Sequence, residues 1–313
     1  MSTLYYGEAM ALLIEQVLNG IQLGLLMFLL AAGLTLVFGI MDLVNLAHGS
    51  LYMLGAYFAT TFMAWTGSFV LGALLALPAA LLLGVVLEVL VLRTLYQRDH
   101  LDHVLATFGL ILIFDELVKI VWGPAGRTVA LPPWLSSTIE ILPGVPYPAY
   151  RFAIIVVGTA VALGLYWVVA HTRLGMWLRA GASNRRMIGA LGVNIERLFT
   201  LVFGLGTALA ALAGLMAAPI RTVQIGMGND ILIVAFVVIV IGGIGSMRGA
   251  FLAAMLVGVI DTCGRAYLPQ ALRTFLSTTS ASTAAPALAS MLIYVVMAAL
   301  LVWRPTGLLG ARN

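Results

Sequence analysis

The stretch Asp42-Leu-Val-Asn-Leu-Ala-His-Gly-Ser50 places a carboxylate, an amide and an imidazole between two long apolar runs. These runs, residues 21–40 and 51–65, are long and apolar enough to lie within a lipid bilayer. An ionisable or strongly polar group at that depth is costly, so it is expected to face protein or a water-filled path. A short polar break between two apolar runs is also typical of the discontinuous helices of transporters. The stretch therefore predicts a transport site in a membrane.

The composition is typical of an integral membrane protein. Of the 313 residues, 62% are hydrophobic and 9% are charged, and the mean hydropathy is +1.10. A soluble domain of this size needs a polar surface that these residues do not supply, so several membrane-spanning helices are expected. The net charge of +4 is small and lies in connections, which gives no indication of nucleic-acid binding. The single cysteine, Cys263, excludes an internal disulfide and a cysteine-based zinc site.

The chain carries no motif that predicts an enzyme. There is no Gly-x-x-x-x-Gly-Lys-Ser/Thr phosphate loop, because the one lysine, Lys119, lies in an apolar setting. His100 and His103 have a spacing that could hold a metal, but a solvated turn explains them better, so no metal is expected. No cofactor is expected on this chain, and ATP and Mg²⁺, if used, are expected on another subunit. Glu8 and Glu15 stand where a cleavable signal has basic residues, so none is expected.

Hydropathy predicts an all-α, polytopic bundle of about eight to ten spanning helices, each judged against the roughly 20 residues that cross a bilayer. The whole chain, residues 1–313, is expected to form one transmembrane domain. The nine apolar segments are residues 12–40, 46–65, 69–92, 104–122, 152–170, 198–220, 231–245, 250–268 and 287–303. The first is long enough to form two pieces, and the seventh is short.

The arginines predict the orientation. Five of them lie in the connection of residues 173–197 against one acid, Glu196, and positive charge in short connections stays cytoplasmic. With this connection inside, ten of the sixteen cations lie inside and the C-terminus is cytoplasmic. The N-terminus lies outside for an odd number of spans.

Two connections are expected outside. Residues 123–150 hold six of the eleven prolines together with Trp134, Tyr147 and Tyr150, which predicts a stiff and irregular loop. An aromatic belt with a rigid connector explains this loop, and so does a docking surface for an external partner. Residues 269–286 are rich in Ser, Thr and Ala, which predicts a flexible connector.

The cytoplasmic connection contains a candidate coupling helix. Ser183 is a plausible N-cap, and Gly192 with Asn194 resembles a helix stop. Apolar residues one and four positions apart then form a knob ringed by cations, which fits a groove on a separate soluble protein. A basic connection lying on the membrane surface explains the pattern equally well. The residues of this candidate helix are Ser183, Arg185, Arg186, Met187, Ile188, Leu191 and Gly192.

A second break, Ile241-Gly-Gly-Ile-Gly-Ser-Met-Arg-Gly-Ala250, is rich in glycine. Close helix packing explains these glycines, and a broken helix that lines a pathway is the alternative. Interrupted apolar runs in both halves of the chain, at 38–57 and 240–258, indicate an inverted repeat. The candidate pathway residues are those of the two breaks: Asp42, Asn45, His48, Ser50, Gly243 and Ser246.

Each polar residue also has a structural explanation. Asp42 fits the cytoplasmic interface, and His48 fits a role in holding two helix pieces together. The amide of Asn45 suits a bent backbone, because it both donates and accepts hydrogen bonds. Glu88 and Asp115 are candidate partners of Arg93 or Lys119.

Three segments in the same order resemble the permease subunits of branched-chain amino acid ABC transporters. They are Asn45-Leu-Ala-His-Gly-Ser-Leu-Tyr-Met-Leu-Gly-Ala-Tyr57, then Arg179-Ala180 with Asn184, Met187 and Leu191-Gly-Val-Asn194, and then Gly242-Gly-Ile-Gly-Ser-Met-Arg-Gly-Ala250. The resemblance covers roughly residues 10–308 and extends to urea and amide permeases. Family members frequently carry an acid after the His-Gly pair, where this chain has Ser50.

The resemblance implies an importer of the bacterial inner membrane. Its partners would be a second permease subunit, expected to be a paralogue, two cytoplasmic ATP-binding subunits and an external solute-binding protein. The substrates implied are branched-chain or other small amino acids, with urea or short amides as the alternative within the family. A stand-alone secondary carrier or channel is the rival function, and it needs an acid within the membrane. A structural subunit without a conduction role is disfavoured by the polar breaks.

Overall fold

The structure, a computed structural model, describes residues 2–142 and 145–310, and for residues 2–9, 142, 185 and 186 it describes the backbone alone. The fold is all-α, as predicted. The described helices are α1 (Ser2–Met41), α2 (His48–Thr66), α3 (Phe69–Leu90), a 3₁₀ turn (Leu92–Leu95), α4 (His100–Trp122), α5 (Pro133–Ser136), α6 (Ala149–His171), α7 (Arg173–Ser183), α8 (Arg185–Ala190), α9 (Ile195–Ala217), α10 (Met227–Gly242), α11 (Met247–Leu272) and α12 (Thr278–Trp303).

Each of the nine predicted apolar segments corresponds to one helix. Six of these helices are long and apolar enough to cross a bilayer by themselves: α1, α3, α6, α9, α11 and α12. Helix α10 is apolar but shorter. Helix α1 is continuous, so the division of the first segment into two pieces did not occur. A chain with these helices is a multi-pass membrane protein.

Helices α1, α2 and α9 form the centre of the bundle, and α3, α6 and α12 lie around it. Glycines allow the central helices to approach closely. A Cβ at Gly55 of α2 would overlap Ala211 of α9, and a Cβ at Gly214 of α9 would overlap the carbonyl oxygen of Tyr52. Small residues at helix contacts are how membrane helices gain packing without a hydrophobic driving force.

The Pro-rich connection is anchored at several points. Its strands β1 (Thr138–Leu142) and β2 (Val145–Pro148) pair antiparallel, a hairpin that the sequence analysis did not predict. Arg127 and Val223 exchange two backbone hydrogen bonds of 2.8 Å. The Tyr147 hydroxyl donates to Asn19 Oδ1 of α1 at 3.2 Å, and Arg151 Nη1 donates to the same oxygen at 2.6 Å. These contacts favour a stiff loop, whose stiffness stays a prediction, and the paired strands and α5 make the loop less irregular than expected.

The prediction of a flexible connector at residues 269–286 was wrong. Pro269 lies inside α11 and Pro286 lies inside α12, so most of this segment is helical. The Ser277 side chain accepts from the Ser280 amide at 3.3 Å and starts α12 well before the apolar run begins. An N-cap followed by Ala-rich sequence is a helix start even where the residues are too polar to mark a span.

The segment after α12 closes the end of α10. The amides of Leu308 and Leu309 donate to the carbonyls of Ile241 and Gly242 at 2.8 and 3.1 Å. Gly243 lies at φ 95° and packs against the Gly310 backbone. The last carbonyls of α10 therefore accept hydrogen bonds from residues that come after α11 and α12 in the chain.

Candidate functional site: two helix breaks and a coupling helix

The first predicted break is a true interruption of helix. Helix α1 ends at Met41, and Asp42 follows with a φ of 52°, the single positive φ among the described residues other than glycine. The Asp42 side chain is exposed, and its carboxylate lies 4.0 Å from Nε2 of His100 at the start of α4. Asp42 thus lies at the surface of the bundle, as expected for a residue at the membrane interface.

From this surface the chain turns back into the bundle. His48 is fully buried at the start of α2, and its Nε2 lies 3.2 Å from the carbonyl oxygen of Leu30. Leu30 is eleven residues before the end of α1, which at 1.5 Å per residue is about 16 Å from that end. A Cβ at Gly33 would meet both His48 and the Gly206 carbonyl of α9. His48 therefore joins α2 to α1, and irregular backbone at this depth is tolerated because protein surrounds it.

Three side chains of this segment have buried polar atoms that lack a hydrogen-bond partner in the described chain. They are both amide atoms of Asn45, Nδ1 of His48 and the hydroxyl of Ser50. The expected bracing of the bend by the Asn45 side chain is not found. Instead, the Leu46 amide donates to the hydroxyl of Thr107 on α4 at 3.2 Å. A buried polar atom without a partner costs about 1–3 kcal/mol of folding free energy. The segment of Asn45, His48 and Ser50 therefore lowers the stability of the fold, which is typical of a functional site.

The second predicted break is also real, and it lies beside the end of α1. Helix α10 ends at Gly242, and α11 begins at Met247. Gly245, at φ 79°, packs against Gly39 near the end of α1 so closely that a Cβ at Gly39 would lie 3.0 Å from the Gly245 Cα. The second interruption therefore lies beside the last turn of α1, which directly precedes the first interruption.

Packing explains most of the glycines in the second break. A Cβ at Gly242 would overlap the Gly249 backbone across the turn, and Gly243 is covered by Gly310. The Ser246 hydroxyl accepts from the Gly249 amide at 3.1 Å and caps α11. The contacts of Gly243 and Ser246 are thus structural, and their part in a pathway stays a prediction.

The candidate coupling helix is shorter than predicted and begins later. Ser183 is the last residue of α7, and the N-cap of α8 is Asn184, whose Oδ1 accepts from the Met187 amide at 3.0 Å. Gly192, at φ 88°, ends the turn as predicted. Asn194 is not part of this stop, because its Oδ1 accepts from the Arg197 amide and caps α9. Ser, Asn and Asp are all good N-caps, so the sequence alone did not distinguish them.

The apolar knob consists of two residues instead of three. Met187 and Leu191 are 60% and 76% exposed, whereas Ile188 is buried. Ile188 therefore anchors α8 to the bundle, and the other two project outward. The side chains of Arg185 and Arg186, which were expected to ring the knob, lie outside the part that the structure describes.

Helix α9 follows directly after this turn, and an ionic network joins its first residues to α3. Glu88 of α3 is fully buried, and it accepts from Arg93 Nη2 at 3.2 Å and from the Thr200 hydroxyl at 2.6 Å. The Tyr96 hydroxyl donates to the same carboxylate. Arg93 Nη1 lies 3.5 Å from Glu196, the second residue of α9. Of the candidate pairs, that of Glu88 with Arg93 is confirmed. Thr200 and Glu196 were missed because they lie more than a hundred positions away in the chain. Tyr96 is near in sequence, but no pattern marks its hydroxyl as a donor to Glu88.

The acids that a secondary carrier would need are occupied or exposed. Asp261 of α11 forms an ion pair of 2.9 Å with Arg265, and Glu88 is bound as described. Among the described residues, no group of three or more His, Cys, Asp and Glu side chains is placed to hold a metal ion. His100 and His103 stack with ring centroids 5.7 Å apart.

Comparison with known proteins finds related permeases. The chain is 29% identical over 311 residues to the high-affinity branched-chain amino acid transport system permease protein BraD of Pseudomonas aeruginosa. The aligned region covers 95% of each chain. It is 28% identical to the permease protein LivH of Salmonella typhimurium, over 82% of this chain and 87% of that one. The ribose import permease protein RbsC of Escherichia coli is 25% identical over 74% of this chain and 72% of its own length. No solved structure matches the chain.

A family model described as the branched-chain amino acid transport system / permease component matches residues 16–301. This range contains both helix breaks, α8 and the whole or most of each described helix that is long and apolar enough to span a membrane. The chain therefore belongs to the family of permease components of branched-chain amino acid transport systems.

Proposed function

We propose that this chain is the permease subunit of an ATP-driven importer in a bacterial inner membrane. It forms half of the translocation pathway for branched-chain or other small amino acids and receives movement from cytoplasmic ATPases. The observation that carries the proposal is the turn formed by α8 and its C-cap residue Leu191. Ile188 is buried there, whereas Met187 on the helix and Leu191 directly after it are exposed. Exposed apolar side chains on a short helix between two spans are suited to a groove on a separate protein.

The route of the movement through this chain follows from its contacts. Helix α8 leads through Gly192 into α9, and α9 packs against α1, α2 and α3. A displacement of α8 is therefore passed to the helices that carry the first break. Alternating access requires only two packed states whose balance a partner shifts. The buried atoms of Asn45, His48 and Ser50 that lack partners are candidates for groups that gain partners in the second state.

The proposed importer function also implies the partners of this chain. A second permease subunit, expected to be a paralogue, completes the pathway, and an external solute-binding protein delivers the substrate to the side of the β1–β2 hairpin. Two ATP-binding subunits hold ATP and Mg²⁺, since this chain has no phosphate loop. This places α8 and the C-terminus in the cytoplasm, in agreement with the arginine distribution.

A stand-alone carrier is less well supported. Its coupling acid would have to be available within the membrane, but Glu88 and Asp261 are held in ion pairs and Asp42 is exposed. Urea or a short amide is the alternative substrate class within the family, and copurification of a binding protein with its ligand would identify the class.

The test is Leu191→Asp in the complex reconstituted in vesicles. Leu101→Asp is the matched control, because Leu101 is 75% exposed and lies at the start of α4, on the same proposed side of the membrane. We expect Leu191→Asp to abolish uptake while the protein still inserts, and Leu101→Asp to retain uptake. ATPase activity that is still fully coupled to uptake in Leu191→Asp would contradict the role of α8.

A further inference from the structure

A lateral cleft lies between α6 and α11 in the half of the bundle near α7. Its volume is about 610 Å³, and its floor is Phe28 of α1, which packs edge-on against Phe251 at a centroid distance of 5.2 Å. Leu163 of α6 and Leu252 of α11 line it and are 64% and 49% exposed. Both leucines belong to spanning helices, so the cleft opens sideways toward the surrounding apolar phase. Its body is suited to a hydrocarbon chain.

One end of this cleft is cationic. Arg179 of α7 and Arg248 of α11 both line it, and both are exposed. Arg248 Nη2 lies 3.3 Å from the Tyr166 hydroxyl, with the guanidinium carbon 5.3 Å from the ring centroid. Arg179 donates to the carbonyl of Val169 near the end of α6. No acidic side chain lines the cleft within the described part of the chain.

Both guanidinium groups keep donors available for a ligand. A guanidinium has five N–H donors in a fixed fork that matches phosphate geometry, and the contacts above use only one or two of them. Arg248 is the second residue of α11, and Arg179 reaches the Val169 carbonyl in the last turn of α6. The ends of spanning helices are the level at which lipid headgroups lie. The cleft has a cationic end and an apolar body. A molecule with an anionic headgroup and a hydrocarbon tail is complementary to both.

We infer that this cleft binds an anionic phospholipid. Its phosphate lies between Arg179 and Arg248, and an acyl chain runs over Phe28 between α6 and α11. Basic clefts between membrane helices on the cytoplasmic side are suited to anionic headgroups. Two arginines without an acidic partner on the cleft wall, at one end of an apolar cleft between spanning helices, favour an anionic lipid over a second copy of this chain. The site rests on the proposed orientation, which puts it in the inner leaflet.

The experiment is native mass spectrometry of the full chain in mild detergent, titrated with phosphatidylglycerol or with phosphatidylcholine of the same acyl chains. Arg248→Gln should weaken phosphatidylglycerol binding about fivefold, which is the contribution of one arginine near an anionic surface. Ala162→Trp, which inserts an indole into the apolar body without a change of charge, should weaken both lipids. Arg98→Gln is the matched control: it removes an exposed arginine on the same side but outside the cleft.

The outcomes separate lipid from other occupants. Preference for phosphatidylglycerol that is lost in Arg248→Gln and kept in Arg98→Gln supports the site. Equal binding of the two lipids, or the same loss in Arg98→Gln, overturns it. Loss of the bound lipid on assembly with the second permease subunit would assign the cleft to the subunit interface and also overturn it. Because binding is measured without transport, failure of the importer function leaves this test intact.

Discussion

Removal of the carboxylate charge of Glu88, which is buried, should destabilise the protein more than removal of the charge of Glu116, which is exposed. Glu88→Gln keeps the shape of the side chain but presents an amide N–H₂ to groups that are themselves donors. Arg93 donates to Glu88 through two nitrogens, at 3.2 and 3.3 Å, and the Thr200 hydroxyl donates at 2.6 Å. Burial and the hydrogen bond to Glu88 raise the pKa of Tyr96, so its hydroxyl stays a donor at any ordinary pH.

The magnitude follows from how far water can replace the lost acceptor. Breaking a buried ion pair costs about 3–5 kcal/mol, and Glu88 is fully buried. Arg93 is 34% exposed, so water solvates part of its charge in the variant, and the lower end of about 3 kcal/mol applies. At roughly 2 °C per kcal/mol for a chain of this size, the unfolding temperature should fall by about 6 °C.

The assay is thermal unfolding in detergent, followed by tryptophan fluorescence, with Glu116→Gln as the matched control. Glu116 also pairs with a cation, Lys119 at 2.6 Å, but its side chain is 64% exposed. Exposed pairs contribute about 0–1 kcal/mol, so the control should change by about 2 °C at most. A shift for Glu88→Gln no larger than that for Glu116→Gln would refute the reasoning.

Three other changes have expected outcomes. Gly214→Ala should cost about 3 kcal/mol, because the new Cβ overlaps the Tyr52 carbonyl, whereas Gly109→Ala in α4, with nothing within 4 Å of the new Cβ, should not destabilise the protein in the same unfolding assay. His48→Ala should reduce uptake about tenfold through loss of its contact with α1 while ATPase copurification is retained; unchanged uptake would make His48 dispensable. Burial raises the pKa of Tyr147 to about 12. Since an unfolded tyrosine ionises near pH 10, stability should be full below about pH 10 and fall between about 10 and 12, and Tyr147→Phe should remove that loss.

Much of the fold could be predicted from hydropathy. A segment that spans a bilayer must pair its backbone N–H and C=O groups within its own helix, and its side chains must be apolar over its length. Both helix breaks were visible for the same reason, since polar residues and glycines interrupt otherwise continuous runs. The start of α12 was not visible, because its first turns are polar and depend on the cap at Ser277.

The contacts within the site were less predictable. Met187, Ile188 and Leu191 are equally apolar, and a helix of six residues has too few turns to reveal that only Ile188 faces the bundle. The hydroxyl of Thr107, which holds the unwound segment, lies on a helix sixty-one positions away from Leu46 in the chain. No pattern within α4 distinguishes it from a threonine that bonds only to its own helix, as Thr107 also does through the His103 carbonyl.

The closure of α10 by residues that follow α12 has a consequence for biosynthesis. The carbonyls of Ile241 and Gly242 stay without their partners until Leu308 and Leu309 have left the ribosome. During that interval α10 and the turn after it enter the bilayer in an incomplete form, with both of those carbonyls still to be satisfied. Helices α11 and α12 must therefore be inserted before the turn reaches its final shape. A stop codon or a fusion joined directly after Trp303 would leave the bundle spanning the membrane, with the second break unfinished.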